Sequence, residues 1–110
     1  MSVQHRKLAA GKWKKMPFLE QMANIGSEVG RSLGWRKKGN LEYARIAFDR
    51  ALELLELTIA DEKNRKKLKE LARLKEILAD YFVFDNEYHS TGENWRDYFY
   101  SFNYASRSRC

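Results

Sequence analysis

The sequence predicts an all-α protein, a four-helix up-and-down bundle with a flexible basic N-terminal arm. Apolar residues recur at steps of three and four over most of the chain, which is typical of amphipathic helices. One proline and six glycines are too few for the frequent turns of an all-β fold. The 110 residues are enough for one domain. We expect the arm over residues 1–16, the bundle over residues 17–106 and a disordered tail over residues 107–110.

The first helix is predicted over residues 17–35. Its apolar stripe has steps of four, three, four and four residues and consists of Phe18, Met22, Ile25, Val29 and Leu33. Pro17 suits the first helical position, because the N–H that proline lacks has no helical partner there. Residues 1–16 show no such period, so we expect a mobile arm for which Trp13 is the one candidate anchor.

The second helix follows Gly39 and has the clearest pattern in the chain. Asn40 is a suitable N-cap, because its side-chain oxygen can accept a free backbone N–H. One apolar seam is made of Ala44, Phe48, Ala51, Leu55 and Ile59. Three leucines are expected to widen it, namely Leu41, Leu52 and Leu54. This width is greater than the narrow seam of a coiled coil and indicates a helix in a globular core.

Two further helices complete the predicted bundle. Asp61 is a candidate cap for the third helix, which should end near Phe84 and whose apolar face is Leu68, Leu71, Leu74, Leu78, Tyr81 and Phe82. In the polar loop that follows, the spacing of Ser90 and Glu93 matches a capping box for a fourth helix. That helix would place on one face Trp95, Tyr98, Phe99 and Phe102.

Positive charge is concentrated in separate clusters. The chain has 21 Lys and Arg against 15 Asp and Glu, a net charge of +6. Short connections make successive helices antiparallel, so the residues before the first helix should meet the start of the third. The candidate polyanion-binding residues at this shared end are Lys12, Lys14, Lys15, Lys63, Arg65, Lys66 and Lys67. Such a cluster attracts nucleic acid in a salt-dependent way, although charged faces also serve simply to solvate helices.

Three glycines recur at intervals of four in the first helix: Gly26, Gly30 and Gly34. Each costs about 1 kcal/mol relative to alanine inside a helix, which indicates a compensating gain. Close packing by a neighbouring helix is one explanation, and a groove for a partner helix or a ligand is the other. A membrane dimerisation motif is excluded, since the same helix carries Glu20, Glu28 and Arg31.

Six aromatic residues lie within positions 95–104. Trp95, Phe99 and Phe102 fall on one helical face and should point into the bundle, whereas Tyr100 and Tyr104 fall outside it. A single helix cannot turn all six inward, so part of the cluster is available to a partner. We take as candidate partner-binding residues Tyr100, Tyr104 and Trp95. Burial of the whole cluster in the core and stacking on nucleic-acid bases are the alternatives.

The sequence lacks the usual signatures of catalytic and metal sites. His5 and His89 are the only histidines, and they do not form a Ser-His-Asp arrangement or a zinc ligand set. The glycines lie inside a helix and not in a phosphate-binding loop. We therefore expect no metal, no cofactor and no catalytic residue. The single cysteine, Cys110, cannot form an internal disulfide, and residues 8–12 do not continue into the apolar core of a signal peptide, so a cytoplasmic location is expected.

The second helix carries a resemblance to two helical families. The segments are Gly39-Asn40-Leu41-Glu42-Tyr43-Ala44, Ala47-Phe48 and Ala51-Leu52-Glu53-Leu54. They resemble half of one tetratricopeptide repeat, a match that we attribute to chance because the preceding helix lacks that family's pattern. They are also similar to the second helix of HEPN-type bundles, which implies a compact helical fold and a link to RNA cleavage or toxin–antitoxin pairs. The ribonuclease motif of that family is an Arg and a His with four to six residues between them, and it is absent. None of residues 82–84, at that distance before His89, is Arg, and none of residues 101–103, at that distance after Arg96, is His.

The sequence thus favours a non-enzymatic interaction module, as a homodimer or with another protein as its partner. The alternatives are a basic RNA- or DNA-binding bundle and a HEPN-like nuclease or toxin–antitoxin component with a degenerate site. No feature of the sequence indicates a membrane partner.

Overall fold

The computed structural model describes residues 11–83 and 86–108, and it confirms the predicted all-α fold. From Phe18 on, the helices of the described residues are α1 (Phe18–Lys37), α2 (Leu41–Ala60), α3 (Leu68–Phe82) and α4 (Gly92–Ser108). A 3₁₀ helix, Glu62–Lys67, leads into α3. Residues 11–14, which precede α1, are also helical.

Helix α1 begins at Phe18, directly after Pro17. Pro17 is therefore the N-cap and not, as predicted, the first residue of the helix. Its extended backbone sets the direction in which the chain enters the helix. Met22, Ile25 and Val29 are at most 1% exposed, as their spacing predicts. The helix runs to Lys37, two residues beyond the predicted end, and Gly39 then adopts a φ of +82°, which favours glycine.

Helix α2 begins as predicted, with Asn40 Oδ1 accepting the backbone N–H of Tyr43 at 3.0 Å. The seam residues Ala44, Phe48, Ala51 and Leu55 are buried, and Ile59 is half-buried. Leu52 and Leu54 widen the seam, whereas Leu41 is 68% exposed and does not. As the first residue of the helix, Leu41 lies at the end of the bundle, where α1 does not cover it.

The third α-helix starts later in the chain than predicted, at Leu68. Asp61 does act as a cap, because its carboxylate accepts the backbone N–H of Lys63 at 3.2 Å, but the turns that follow are 3₁₀. Residues 62–67 carry no apolar stripe, and Asn64 is the residue of this segment that is buried. Leu71, Leu74 and Leu78 form the apolar face of α3, while Leu68 is 46% exposed, contrary to its predicted place there.

The cap of α4 is shifted by one residue from the predicted one. Asn94 N–H donates to Thr91 Oγ1, and Thr91 N–H donates to Asn94 Oδ1, both at 3.1 Å. The reciprocal capping box thus joins Thr91 and Asn94 instead of Ser90 and Glu93. At its other end α4 continues to Ser108, so residues 107–108 are helical and do not belong to a disordered tail. Residues 109–110 lie outside the described chain.

The helices run up and down as predicted. Helix α1 packs against both α2 and α4, and it is antiparallel to each of them. Phe18 meets Phe102 at one end of the α1–α4 pair, and Leu33 lies near Gly92 at the other. The core is built from these contacts and from the stacked rings of Phe48 and Phe82 on α2 and α3, with centroids 4.6 Å apart.

The inner part of the predicted arm is packed against the bundle. Trp13 is 5% exposed and belongs to the hydrophobic core, and Met16 packs against it. Burial of an indole removes a large apolar surface from water and so stabilises the packing of this segment on the bundle. The predicted arm is therefore too long at its inner end, because residues 11–16 belong to the described fold; residues 1–10 lie outside the described residues. Within the described residues, the helices are too short or too polar to cross a membrane.

Candidate functional site

A buried polar network lies at the end of the bundle where α1 begins and α2 ends. Gln21 and Thr58 have no exposed surface, and Asp61 and Asn64 are 6% and 2% exposed. Gln21 Nε2 donates to Asp61 Oδ2 at 3.0 Å, and Gln21 Oε1 accepts from Asn64 Nδ2 at 2.9 Å. The same Asn64 amide donates to the backbone oxygen of Thr58 at 3.0 Å. The network therefore joins α1, α2 and the 3₁₀ helix in one arrangement.

Trp13 attaches the N-terminal segment to this network. Its indole Nε1 donates to Thr58 Oγ1 at 2.9 Å, and Thr58 Oγ1 donates in turn to the backbone oxygen of Leu54 at 2.8 Å. Gln21 Nε2 also donates to the backbone oxygen of Trp13 at 3.0 Å. Because both the ring and the backbone of Trp13 are held, the backbone that carries Lys12 and Lys14 is attached to the bundle.

Asp61 is the charged group of the network. Burial alone would raise the pKa of its carboxyl group, because it disfavours the charged form. Hydrogen bonds from the Lys63 ammonium, the Gln21 amide and the Lys63 backbone N–H oppose that effect, together with the charge of Lys63. The net result is a pKa below the ordinary value, so Asp61 is ionised at neutral pH.

The two basic clusters predicted to converge do lie together. Lys63 Nζ donates to the backbone oxygen of Lys14 at 3.0 Å, which places the 3₁₀ helix directly against the N-terminal segment. Lys67 Nζ lies 3.7 Å from the centroid of the Phe18 ring, a cation–π contact at the start of α1. These two segments carry seven exposed cations, which we call the basic end: Lys12, Lys14, Lys15, Lys63, Arg65, Lys66 and Lys67.

The charge of the basic end is largely uncompensated. Residues 61–69 contain five Lys and Arg against two acidic residues. Over residues 11–83 and 86–108, the one ion pair that involves the basic end joins Lys63 to Asp61. The other six cations form no ion pair, so repulsion among those that lie close together opposes folding.

The buried network is chemically complete. None of its buried side-chain nitrogens and oxygens is without a hydrogen-bond partner. Elsewhere in the described chain, Glu28 Oε2 and Trp95 Nε1 are the buried side-chain atoms without one. A carboxylate whose oxygens are all engaged is a structural anchor, so the chemistry that this end offers to a ligand comes from its exposed ammonium and guanidinium groups.

The aromatic cluster of α4 divides between core and surface. Trp95 and Phe99 are each 5% exposed and Phe102 is half-buried, in agreement with their shared face. Tyr100 and Tyr104 are 68% and 65% exposed, as their positions off that face predict. Trp95 was also a candidate partner-binding residue, and this assignment is wrong for the described fold, since its ring lies within the core.

Of the three glycines in the row on α1, only Gly26 is in close contact with α4. A Cβ at Gly26 would lie 2.7 Å from Phe99 Cβ, so the two helices approach too closely there for any other residue. At Gly30 and Gly34 no atom lies within 4 Å of such a Cβ, and the expected close contact is absent. Gly30 instead lines a shallow groove of about 170 Å³ between α1 and α4, with Tyr100 at its edge.

The loop between α3 and α4 is organised by hydrogen bonds. The carboxylate of Asp80 accepts the backbone N–H groups of Glu87 at 2.8 Å and Tyr88 at 3.1 Å. Asn86 donates to the backbone oxygen of Ser90 and accepts its N–H, both at 2.9 Å. His89, considered above as a metal ligand, lies in this loop, and the described residues contain no group of three metal-ligating side chains.

Sequence reasoning missed Gln21 and Asn64, which hold the basic end together. Gln21 precedes Met22 of the apolar stripe and lies four residues before Ile25, so a polar residue on the buried face was visible in the sequence. Asn64 interrupts a run of charged residues and gives no comparable signal. Their pairing joins positions 43 residues apart, which local patterns do not encode.

Comparison with known protein families, with curated proteins and with solved structures finds no match to this chain. The resemblance to HEPN-type bundles therefore stays a prediction.

Proposed function

We propose that the protein is a non-enzymatic binding module and that its basic end binds the phosphate backbone of a nucleic acid. The observation that supports this most directly is the contact between two segments of like charge, in which Lys63 Nζ reaches the backbone oxygen of Lys14. Bringing such segments together costs free energy, and here a buried hydrogen-bond network offsets the cost. A surface that serves only for solubility does not need its cations concentrated in this way.

Nucleic acid is the polyanion that this surface fits best. The cations come from two elements that are distant in the sequence, the N-terminal segment and the 3₁₀ helix, and these meet at one end of the bundle. Phosphate contacts of this kind give affinity with little sequence preference. We expect binding to both RNA and DNA that weakens steeply as the salt concentration rises.

A charge-removal experiment tests the proposal. Lys15→Gln combined with Lys66→Gln removes two cations for which the structure shows no hydrogen bond or ion pair. Binding of a labelled single-stranded RNA, measured by fluorescence anisotropy across a salt series, should lose about one unit of salt slope per lysine removed. The matched control is Arg50→Gln combined with Lys38→Gln, which removes the same charge from α2 and the α1–α2 connection.

The control variant should bind like the wild type. Equal loss of binding in both double variants would mean that net charge alone is responsible and would contradict a defined site. Binding to vesicles that contain anionic lipid, with no binding to RNA or DNA, would replace nucleic acid with a membrane surface as the partner.

A second candidate function is self-association through α4, for which the exposure of Tyr100 and Tyr104 is the specific support. Large aromatic side chains are over-represented as anchors of protein interfaces. Replacing both tyrosines by alanine should leave the helix content unchanged and shift a dimer to monomer in sedimentation velocity. Tyr88→Ala is the matched control, because Tyr88 is 45% exposed but lies in the α3–α4 loop. A wild-type protein that stays monomeric at high concentration would contradict this candidate.

A further inference from the structure

A second positively charged site lies at the opposite end of the bundle from the basic end. A pocket of about 280 Å³ opens between the last turn of α1 and the first turn of α4. Its lining residues are Leu33, Arg36, Lys37, Tyr81, Gly92 and Arg96. Three of the six are cations, from two helices, and none is acidic. Since α1 has 20 residues at about 1.5 Å each, roughly 30 Å of helix separates this pocket from the basic end.

The cations of the pocket form no ion pair with the acidic residues that the structure describes. Asp80, the buried acid of the last turn of α3, uses both carboxylate oxygens for backbone N–H groups of the loop. Within the described part of the chain, Arg36, Lys37 and Arg96 form no ion pair with an acidic side chain. Three positive charges around one cavity raise the local electrostatic potential and favour an anion inside it.

One of the three cations is held in place by aromatic rings. The guanidinium carbon of Arg36 lies 4.8 Å from the centroid of the Tyr81 ring and 5.5 Å from that of Phe82. A guanidinium that stacks on a ring keeps its N–H groups free at its edge, where they can donate in pairs to phosphate oxygens. Arg36 therefore needs little further ordering when an anion binds.

We propose that this pocket binds a small phosphate-bearing anion, with Arg36 and Arg96 donating to its oxygens and Lys37 contributing charge. A phosphomonoester is the class that fits, because it offers several acceptor oxygens and up to two negative charges to a cavity lined by donors. The apolar side of the pocket, Leu33 and the Tyr81 ring, leaves space for the organic part of the ester. The site is separate from the nucleic-acid surface proposed above.

Titration calorimetry and NMR with two probes test the site. Inorganic phosphate and phenyl phosphate are added at constant ionic strength, with chloride as the reference anion. We expect saturable binding, backbone amide shifts concentrated at residues 33–37 and 92–96, and tighter binding of phenyl phosphate than of phosphate if an ester is the ligand. Equal affinities would identify free phosphate as the ligand of the same site.

Arg96→Gln is the decisive variant, because Arg96 lines the pocket and its side chain is exposed. It should weaken binding about tenfold or more, the usual effect of losing a charge-assisted hydrogen bond. Arg50→Gln on α2 is the matched control and should bind as the wild type does. Shifts that do not saturate, or an affinity that is the same in Arg96→Gln and wild type, would overturn the proposal.

The phosphate site and the basic end are distinguished by one further pair of measurements. Lys66→Gln should leave phenyl phosphate binding unchanged, and Arg96→Gln should leave the salt slope of RNA binding unchanged. Amide shifts that appear at residues 63–67 instead of the pocket would overturn the phosphate site while leaving the nucleic-acid proposal intact.

Discussion

Two glycines on α1 differ in what surrounds them. At Gly26 a Cβ would lie 2.7 Å from Phe99 Cβ, and this atom is fixed to the backbone of α4, so the helices would have to move apart. At Gly30 the corresponding space is empty. The contrast limits the close-packing explanation of the glycine row to Gly26.

Alanine substitution at the two positions should have opposite effects on stability. Gly26→Ala should lower the free energy of unfolding, since overpacking costs about 1–3 kcal/mol against a helix-propensity gain of about 1 kcal/mol. Gly30→Ala keeps the gain without the clash and should raise the free energy of unfolding by up to about 1 kcal/mol. Urea unfolding of both variants measures the difference, and destabilisation by Gly30→Ala would show that the groove beside it is filled.

Asp61 should make the stability of the fold depend on pH in the acid range. Its pKa is lowered in the folded state, so its contribution is fully present above the unfolded pKa of about 3.9. That contribution is lost as the pH falls through the lower folded pKa. Asp61→Asn should therefore reduce stability at neutral pH and flatten its fall below about pH 4. Asp49→Asn, in an exposed pair with Arg45, is the control and should change little.

At the scale of the element, α4 shows how neighbouring residues select between two overlapping caps. The sequence contains both a Ser90–Glu93 and a Thr91–Asn94 spacing, and either suits the start of a helix. Asn86 decides between them, because its side chain binds both the N–H and the oxygen of the Ser90 backbone and holds that residue in the loop. The pattern predicted the existence of the helix, whereas its first residue depended on this loop contact.

Removal of the observed cap should destabilise the protein more than removal of the predicted one. Thr91→Ala eliminates the bond from Thr91 Oγ1 to the N–H of Asn94 and should cost about 1 kcal/mol. Ser90→Ala leaves the hydrogen bonds between the Asn86 side chain and the Ser90 backbone intact, so its cost in unfolding free energy should be a small fraction of that of Thr91→Ala. Thermal unfolding followed by circular dichroism compares the two, and a larger loss for Ser90→Ala would place the cap at the predicted residue.

At the scale of the whole molecule, predictable and unpredictable features have different physical origins. The stripe from Met22 to Val29 and the cap at Asn40 were predictable, because helical period and capping chemistry act over a few residues. The meeting of the two basic clusters also followed from short connections between antiparallel helices. The buried hydrogen-bond network that holds the two clusters together was not predictable, since Gln21 and Asn64 form their hydrogen bond only when distant segments pack together.

Trp13 links the stability of the whole fold to the geometry of the basic end. Trp13→Ala removes a buried indole and should cost about 3–5 kcal/mol. Trp13→Phe keeps most of the buried surface and loses the bond to Thr58 Oγ1, so we expect a cost of about 1 kcal/mol. Because the ring holds Lys12 to Lys15 against the bundle, Trp13→Ala should also weaken RNA binding, although no charge is removed.

Phe99→Ala separates these two effects. Phe99 is as deeply buried as Trp13, but it lies on α4 and packs against α1. Its truncation should lower the free energy of unfolding by a similar amount, about 3–5 kcal/mol. Both alanine variants are compared with wild type at a temperature where circular dichroism shows them folded, by urea unfolding and by RNA binding across a salt series. We expect Phe99→Ala to keep the salt slope of the wild type and Trp13→Ala to reduce it. If the slope falls equally in both, loss of stability accounts for the weaker binding; if it falls in neither, the cations bind without the geometry that the buried network imposes.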